Sequence, residues 1–152
     1  MSGYQTVVVG TDGSDSSLRA VDRAGALASV SDAKLIVATA YLPASHESRV
    51  LKDDARMLKG EAYQVSGNAP VYGILHTATE RAEAAGAKNV EERAVAGAPV
   101  DALVDLTAEV GADLLVVGNL GMSSIAGRLL GSVPADVARR TKSDVLIVHT
   151  TP

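Results

Sequence analysis

The sequence predicts an α/β protein built on an open, parallel sheet of five strands with helices on both faces. Short apolar runs rich in Val, Ile and Leu alternate along the chain with longer segments that are apolar on one side only. This alternation is typical of parallel strands joined by helical crossovers. Hydrophobic residues make up 47% of the chain and are mostly Ala, Val and Leu, which suits close packing of helices on a sheet. At 152 residues, we expect one domain over residues 1–152.

The first third of the chain contains two predicted strands and one helix. Residues 4–10 include the run Thr6 to Val9, which is β-branched and continuous, as expected of a central strand that is covered on both faces. A helix is predicted from Ser16 to Ala28, and a second strand over residues 34–41. The stretch from Leu42 to Asn68 has a weaker pattern, which predicts a long loop whose role the sequence leaves open.

The rest of the chain continues the alternation of helices and strands. Beginning with a helix, the predicted elements lie at residues 69–85, 89–96, 100–110, 114–117, 134–141 and 145–148. With right-handed crossovers, a strand order of 3-2-1-4-5 places the fifth strand, Val145 to Val148, at one edge of the sheet. Because no charged residue interrupts this strand, we predict that two copies of the chain pair through it as a homodimer.

The composition argues against several classes of protein. The chain has no cysteine, so disulfides, thiolate metal sites and cysteine nucleophiles are absent. Its net charge of −4 and its lack of Phe and Trp argue against a nucleic-acid partner, which would need a basic face. No apolar run approaches the length of a membrane span, and the first residues lack the pattern of a signal peptide. We therefore expect a cytoplasmic protein with no membrane partner.

The segment between the fourth strand and the last helix is rich in glycine. Its glycines have the spacing G-x2-G-x9-G-S, and a helix start follows at once. Glycine has no Cβ to keep a ligand away from the peptide N–H, and the N–H groups at a helix start lack intrahelical partners. The segment therefore predicts a phosphate site, although its spacing is neither that of a P-loop nor that of a dinucleotide fold. The predicted contacts are Gly118, Gly121, Arg128, Gly131, Ser132 and Val133.

The carboxyl end of the first strand supplies a second group of candidate residues. In open α/β sheets, ligands bind outside the carboxyl ends of the strands where the strand order switches, and the first strand normally flanks that switch. Gly10 and Thr11 would form the floor there, and the Asp12 carboxylate can accept hydrogen bonds from ribose hydroxyls. A turn or a helix cap is the alternative role for Asp12, although Asp15 or Ser16 is the better candidate for the cap.

The glycine pattern resembles the nucleotide-binding signature of the universal stress protein family. The likeness extends from Val-Val-Val-Gly-Thr-Asp-Gly-Ser near the start of the chain to Val-Leu-Ile-Val near its end. The resemblance implies a Rossmann-like fold, a homodimer associated through the last strand, and a bound adenine nucleotide, usually ATP. It also implies that Asp12 lies in the nucleotide site and that the backbone near Ala40 contacts the base. A cytosolic sensor or buffer of nucleotide in stress or signalling is the function it predicts.

One position of the glycine segment departs from that family. Asn119 stands where relatives more often carry Ser or Thr. With this change and few cations nearby, ATP and ligands with a single phosphate, AMP or cyclic AMP, stay open, because a single phosphate needs less charge neutralisation. The sequence also leaves open whether a divalent cation accompanies the phosphates.

An enzyme on the same fold, with weak ATP hydrolysis or autophosphorylation, is the alternative function. The glycine segment carries no general base and no G-x-S-x-G motif, and the histidines at 46, 76 and 149 are scattered. A binding protein without catalytic residues or protein metal ligands is therefore the main interpretation. Gly97 also follows a strand, where either a simple turn or an approach to phosphate would explain it.

Overall fold

A computed structural model describes residues 3–42, 69–120 and 132–150, with only the backbone of Ala69 and Ser132. The strands of this part of the chain form one parallel sheet in the order β3-β2-β1-β4-β5. The predicted fold class and strand order are thereby confirmed. In chain order, the elements are β1 Thr6–Gly10, α1 Asp15–Ser31, β2 Lys34–Tyr41, α2 Ala69–Ala84, β3 Asn89–Ala96, α3 Pro99–Val110, β4 Leu114–Gly118, α4 Ser132–Arg140 and β5 Asp144–Val148.

The central strands are buried on both faces because their side chains alternate between two helical layers. Val7 and Val9 of β1 belong to a cluster with apolar residues of α1 and α2. Val8, between them, belongs to the opposite cluster with Leu103 of α3 and Val137 of α4. Each fully buried aliphatic side chain of this kind contributes about 1.5–3 kcal/mol. The sheet therefore fixes where all of its strands end, and those ends position the site.

The ends of the helices differ from the sequence prediction by up to three residues, the largest difference being at the end of α1, which continues to Ser31 instead of Ala28. Two differences at helix starts concern the site. The N-cap of α1 is Ser14, whose Oγ accepts the N–H of Ser17 at 3.2 Å, so the prediction of Asp15 or Ser16 as the cap was wrong. Serine, like aspartate, is a preferred cap residue, and only the backbone conformation decides which of several candidates takes that place. The last helix begins at Ser132 rather than Pro134, which brings the end of the glycine segment directly into its first turn.

Helix α2 packs on α1 and covers the loop that follows β1. Arg81 of α2 donates to both carboxylate oxygens of Asp22 in α1, with the Nε to Oδ1 distance at 2.9 Å. Near the other end of α2, Ile74 closes over Gly13, where an added Cβ would lie 2.9 Å from Ile74 Cγ1. Gly13 also has a φ of +86°, which side chains other than glycine rarely adopt. Helix α2 therefore packs directly on this loop.

The two edge strands of the sheet differ in charge. On β3, Glu91 pairs with Lys34 at 2.7 Å and Arg93 pairs with Glu109 at 2.8 Å. The hydrogen bond from Lys34 lowers the pKa of Glu91. On β5, by contrast, Ile147 is an apolar side chain that is 43% exposed. Charged residues protect an edge strand from pairing with another chain, and β5 has little of this protection.

Candidate functional site

The strands β1 and β4 are paired over only part of their length. Their register matches residues 7–9 of β1 with residues 114–116 of β4. Beyond that, β1 continues along β2 as far as Gly10, and β4 continues along β5 as far as Gly118. The two central strands therefore separate at their carboxyl ends, and this is the point at which the strand order switches. We call the space between these two ends the crevice.

At their amino ends the same strands are held together by Asp113. Its carboxylate accepts the N–H groups of Gln5 and Thr6, each at 3.0 Å, and its own N–H donates to the carbonyl oxygen of Thr6 at 3.0 Å. Burial acts to raise the pKa of Asp113, but hydrogen bonds from the N–H groups of Gln5 and Thr6 outweigh it and lower the pKa. This end of the β1 and β4 pair is closed.

A groove of about 660 Å³ lies at this amino end, beside Tyr4, Lys142 and Asp144. The Tyr4 hydroxyl donates to the Asp144 carboxylate at 2.8 Å, and this hydrogen bond raises the pKa of Tyr4. The carboxylates of Asp113 and Asp144 are therefore already engaged with the protein itself. The groove lies at the end of the sheet opposite the predicted site.

The loop between β1 and α1 is held by its own hydroxyl groups. The Ser17 hydroxyl donates to the carbonyl oxygen of Ser14 at 3.0 Å, so the Thr11 hydroxyl, 2.7 Å away, must donate to Ser17 Oγ. Thr11 Oγ1 accepts the N–H of Gly13 at 3.0 Å, and Ser17 Oγ accepts the N–H of Asp12 at 3.2 Å. Thr11 and Ser17 are 0% and 2% exposed. Connected hydrogen bonds in such a buried place reinforce one another.

Asp12 is half-buried at the start of this loop, beside the crevice. Its Oδ1 accepts the N–H of Ser14 at 2.9 Å, which forms an Asx turn. The second oxygen, Oδ2, makes no hydrogen bond within the described part of the chain. Asp12 therefore serves the turn with one oxygen, and the other has no partner among the described residues, whereas Thr11 uses its hydroxyl within the loop.

The end of β2 presents peptide groups beyond the end of β1. The carbonyl oxygen of Ala38 accepts the N–H of Thr11 at 2.9 Å, and the carbonyl oxygen of Tyr41 accepts the N–H of Gly97 at 2.8 Å. Ala38 thus faces β1, and Tyr41 faces β3. Since peptide groups along a strand alternate with a period of two, the N–H and C=O of Ala40 point toward the β1 side. Because β1 has already ended at Gly10, no strand in the described part of the chain pairs with these two groups on that side.

The chain leaves β4 through Gly118 and Asn119. The N–H of Asn119 donates to the carbonyl oxygen of Val148 at 2.8 Å, and Asn119 Oδ1 accepts the N–H and the hydroxyl of Thr150 at 2.7 Å and 2.9 Å. A Cβ added to Gly118 would lie 3.3 Å from the methyl carbon of Thr150. Close packing of Thr150 therefore accounts for glycine at 118, and it leaves the Gly118 peptide near the crevice without a side chain.

The remaining predicted residues are placed as follows. Val133 is buried in the first turn of α4, while Gly121, Arg128 and Gly131 lie outside the described residues. Gly97 has a φ of +130° and gives its N–H to Tyr41. It follows β3, on the far side of β2 from the crevice. A turn explains the φ of Gly97, and its N–H bond places it beside Tyr41, the residue that follows Ala40. An approach of Gly97 to phosphate stays a prediction.

The sequence prediction missed two polar residues that shape the site, Ser17 and Thr150. Ser17 lies six positions after Thr11, and the cluster of hydroxyl residues in the loop was a signal that could have found it. Thr150 is 31 positions from Asn119, and no local pattern connects them.

Within the described ranges, no group of three His, Asp or Glu side chains could hold a metal ion. In the same part of the chain, no helix combines the length and the apolar character needed to cross a membrane.

Comparison with known proteins identifies relatives along nearly the full chain. The sequence model of the universal stress protein family matches residues 3–149. Universal stress protein Rv1636 of Mycobacterium tuberculosis strain H37Rv is 68% identical over 151 residues, which cover 99% of this chain and 100% of the relative. The resemblance seen in the glycine pattern is thereby confirmed.

Solved structures give the same result. The crystal structure of a universal stress protein in complex with cAMP is 63% identical, covers 99% of this chain and 100% of its own, and superimposes with a TM-score of 0.74. A universal stress protein from Archaeoglobus fulgidus in complex with dAMP is 22% identical, covers 95% of this chain and 97% of its own, and has a TM-score of 0.66. The second likeness concerns the fold alone.

Proposed function

Because the chain belongs to the universal stress protein family, we propose that it binds an adenine nucleotide in the crevice between the carboxyl ends of β1 and β4. The observation that carries the proposal is the cAMP complex of a universal stress protein that is 63% identical over nearly all of this chain. The separation of β1 and β4 at their carboxyl ends supports the same location.

The proposed contacts follow from the groups that are open at the crevice. The N–H and C=O of Ala40 can serve the adenine edge as a donor and an acceptor, as another strand would. Asp12 accepts a ribose hydroxyl with Oδ2, while Oδ1 keeps the turn. The phosphate binds the glycine segment and the first turn of α4, through Gly118, Asn119, Gly121, Arg128, Gly131, Ser132 and Val133.

Cyclic AMP is the ligand we place first, ahead of AMP and ATP. A cyclic phosphate carries one negative charge, and the described residues around the crevice supply mainly neutral donors. Arg19, a nearby cation, already donates to the carbonyl oxygen of Thr150 at 2.6 Å. A triphosphate would leave more charge uncompensated in a partly buried site. We expect a divalent cation only with ATP, bound through its phosphates.

The protein acts in this proposal as a cytoplasmic sensor or buffer of the nucleotide and not as an enzyme. Thr11 and Ser17 have their protons committed within the loop, so neither is poised as a nucleophile. Weak ATP hydrolysis or autophosphorylation is the alternative. Incubation of the protein with an equimolar amount of labelled ATP distinguishes the two. A binding protein leaves the ATP intact and stays unlabelled, whereas the alternative yields ADP or phosphoprotein.

The test of the nucleotide site is a comparison of Asp12→Asn with Asp15→Asn. Asp12→Asn keeps an oxygen for the Ser14 N–H but replaces the acceptor offered to ribose, whereas Asp15→Asn makes the same charge change on an exposed residue of α1. By calorimetric titration, we expect Asp12→Asn to weaken cyclic AMP binding by about 5–10-fold and Asp15→Asn to bind as the wild type does.

The ligand can be changed at the same contact. 2′-Deoxy cyclic AMP should bind the wild type more weakly by about the same factor, roughly 5–10-fold, and Asp12→Asn should no longer distinguish the two ligands. If the losses of affinity caused by Asp12→Asn and by the 2′-deoxy ligand simply add, Asp12 does not contact the ribose. Saturating cyclic AMP, AMP and ATP with no heat and no shift in melting temperature would overturn the proposed function itself.

We also propose that the protein is a homodimer paired through β5, with no nucleic-acid partner. The exposed Ile147 on β5 and the ion pairs along β3 support pairing at the β5 edge. Ile147→Asp should convert the dimer to a monomer in sedimentation velocity. Val30→Asp places the same charge on another apolar side chain, 86% exposed on α1, and should leave the dimer intact. A wild-type monomer, or dimers in both variants, would contradict pairing through β5.

A further inference from the structure

Thr150 is a buried polar residue that no sequence motif includes. It is 3% exposed and lies beyond the last residue of β5. Its N–H and its hydroxyl both donate to Asn119 Oδ1, at 2.7 Å and 2.9 Å. The N–H of Asn119 donates in return to the carbonyl oxygen of Val148 at 2.8 Å. The residue that follows β4 is thus tied to the segment that follows β5.

These contacts determine which way the Asn119 carboxamide faces. A backbone N–H can only donate, so the side-chain atom 2.7 Å from the Thr150 nitrogen must be the carbonyl oxygen of Asn119. The usual ambiguity between the oxygen and nitrogen of an amide is therefore removed. Since the oxygen and the NH₂ group diverge from one carbon, the NH₂ group is turned away from Thr150.

Thr150 is itself held from the side of α1. Because its hydroxyl proton goes to Asn119, the Ser16 hydroxyl must donate to Thr150 Oγ1. The Arg19 guanidinium donates to the carbonyl oxygen of Thr150 at 2.6 Å. The methyl group of Thr150 fills the space beside Gly118. Helix α1 therefore fixes Thr150, and Thr150 fixes Asn119.

We propose that Thr150 is a positioning residue for the nucleotide site: it holds the Asn119 carboxamide so that its NH₂ group donates to a phosphoryl oxygen of the bound nucleotide. This rests on the proposed function, since it assigns a contact within the same site. A neutral donor held in one orientation suits a phosphate with a single charge, because the donor is ordered before the ligand arrives.

The decisive variant is Asn119→Asp. An aspartate still offers an oxygen to both Thr150 donors, so the structural contacts persist, but the NH₂ group becomes an anionic oxygen. We expect at least tenfold weaker binding of cyclic AMP, with a melting temperature close to that of the wild type. Adenosine has no phosphate, so its affinity should be the same for the variant and the wild type.

Thr150→Val and Thr150→Ser form the second, matched pair. Valine keeps the methyl group beside Gly118 and loses the hydroxyl, whereas serine keeps the hydroxyl and loses the methyl. Both variants keep the Thr150 N–H on Asn119 Oδ1, and only Thr150→Val removes the second donor that holds the carboxamide. We therefore expect Thr150→Val to weaken cyclic AMP binding by about fivefold and Thr150→Ser to bind as the wild type does, and equal binding by the two variants would overturn the positioning role of the Thr150 hydroxyl. Should Thr150→Val not fold, Asn119→Asp still tests the contact between Asn119 and the phosphate.

The outcomes separate this inference from the proposed function. A wild-type protein that binds no adenine nucleotide would overturn both. A wild-type protein that binds cyclic AMP, with Asn119→Asp binding it equally well, would overturn the inference alone. Equal loss of cyclic AMP and adenosine in Asn119→Asp would also overturn it, because the effect would then not concern the phosphate.

Discussion

The two ends of the β1 and β4 pair are held in different ways. At the amino end, the Asp113 carboxylate accepts N–H groups of the chain that leads into β1 and closes the pair. At the carboxyl end, the strands separate, and each exit has its own hydrogen bonds: those of the Thr11 and Ser17 hydroxyls after β1, and those between the Asn119 carboxamide and Thr150 after β4. One carboxylate thus joins the two strands at the amino end, while at the carboxyl end each strand exit is held by its own set of hydrogen bonds.

This difference indicates how a sheet can be rigid and still leave room for a ligand. The open end does not depend on a ligand to satisfy its buried side chains, because in the described part of the chain no buried side-chain nitrogen or oxygen lacks a hydrogen-bond partner. Among the described residues, one oxygen of Asp12 and the NH₂ group of Asn119 make no hydrogen bond within the protein. Four substitutions or conditions test the contrast.

Ser17→Ala should have the largest effect, on the open end. It removes the acceptor for the Asp12 N–H and for the Thr11 hydroxyl in a place that is nearly inaccessible to water. We expect the free energy of unfolding to fall by about 2–3 kcal/mol, measured by urea denaturation. Ser29→Ala, on an exposed position of α1, is the control and should change nothing. A Ser17→Ala protein as stable as the control would show that the hydroxyl chain does not hold the loop.

Asp113→Ala should have the next largest effect, on the closed end. Loss of the carboxylate leaves the N–H groups of Gln5 and Thr6 to water, since both are near the surface. The expected loss of stability is about 1–2 kcal/mol. Nucleotide affinity should be unchanged, because the crevice lies at the other end of the strands. A clear loss of affinity would mean that the two ends are coupled.

Ser14→Ala should have a smaller effect at the open end. The substitution removes the side-chain acceptor for the Ser17 N–H and with it the cap of α1. Loss of a serine cap costs about 1 kcal/mol, and Ser14→Gly should cost only a few tenths. Thermal unfolding of the two variants checks this order. If glycine were the worse replacement, the serine would be acting through its backbone conformation and not as a cap.

The smallest effect expected is a difference in acid sensitivity. Because the pKa of Asp113 is lowered in the folded protein, its contribution is complete above the unfolded value of about 4 and disappears as the pH falls through the folded pKa. Between roughly pH 5 and pH 2, the wild type should lose a fraction of a kcal/mol that Asp113→Asn does not lose. Glu91 also has a lowered pKa, but the stability lost when Glu91 is protonated is the same in both proteins. Parallel pH profiles would contradict this role of Asp113.

The sequence was sufficient for the fold because the fold depends on periodic features. Continuous apolar strands such as Val7–Val9 require helices on both faces, and their alternation with helical segments predicts a parallel sheet with right-handed crossovers. The location of the crevice follows as well, since it lies where the strand order switches. Asp12 is a predicted site residue for this reason, from its place after the first strand.

The sequence could not supply two kinds of detail: contacts between residues far apart in the chain, and the choice among several equally suitable residues for one position. Thr150 contacts Ser16 across 134 positions, and a contact of this kind leaves no local pattern. The cap of α1 could have been any of several neighbouring Ser and Asp residues, and the backbone selected Ser14. The orientation of the Ala40 peptide could be determined only from the structure, because it depends on where β1 ends and on which side of β2 the strand β1 lies.

The Ala40 peptide also provides a way to detect bound nucleotide by hydrogen–deuterium exchange. The N–H groups of Asp12, Gly13 and Ser14 already donate to side chains of their own loop, so they should exchange slowly with or without ligand. The N–H of Ala40 lies past the end of β1, and no strand among the described residues pairs with it on that side. Its deuteration should therefore be fast in the empty protein and slow when a base occupies the edge of β2, which makes this single amide a reporter of occupancy.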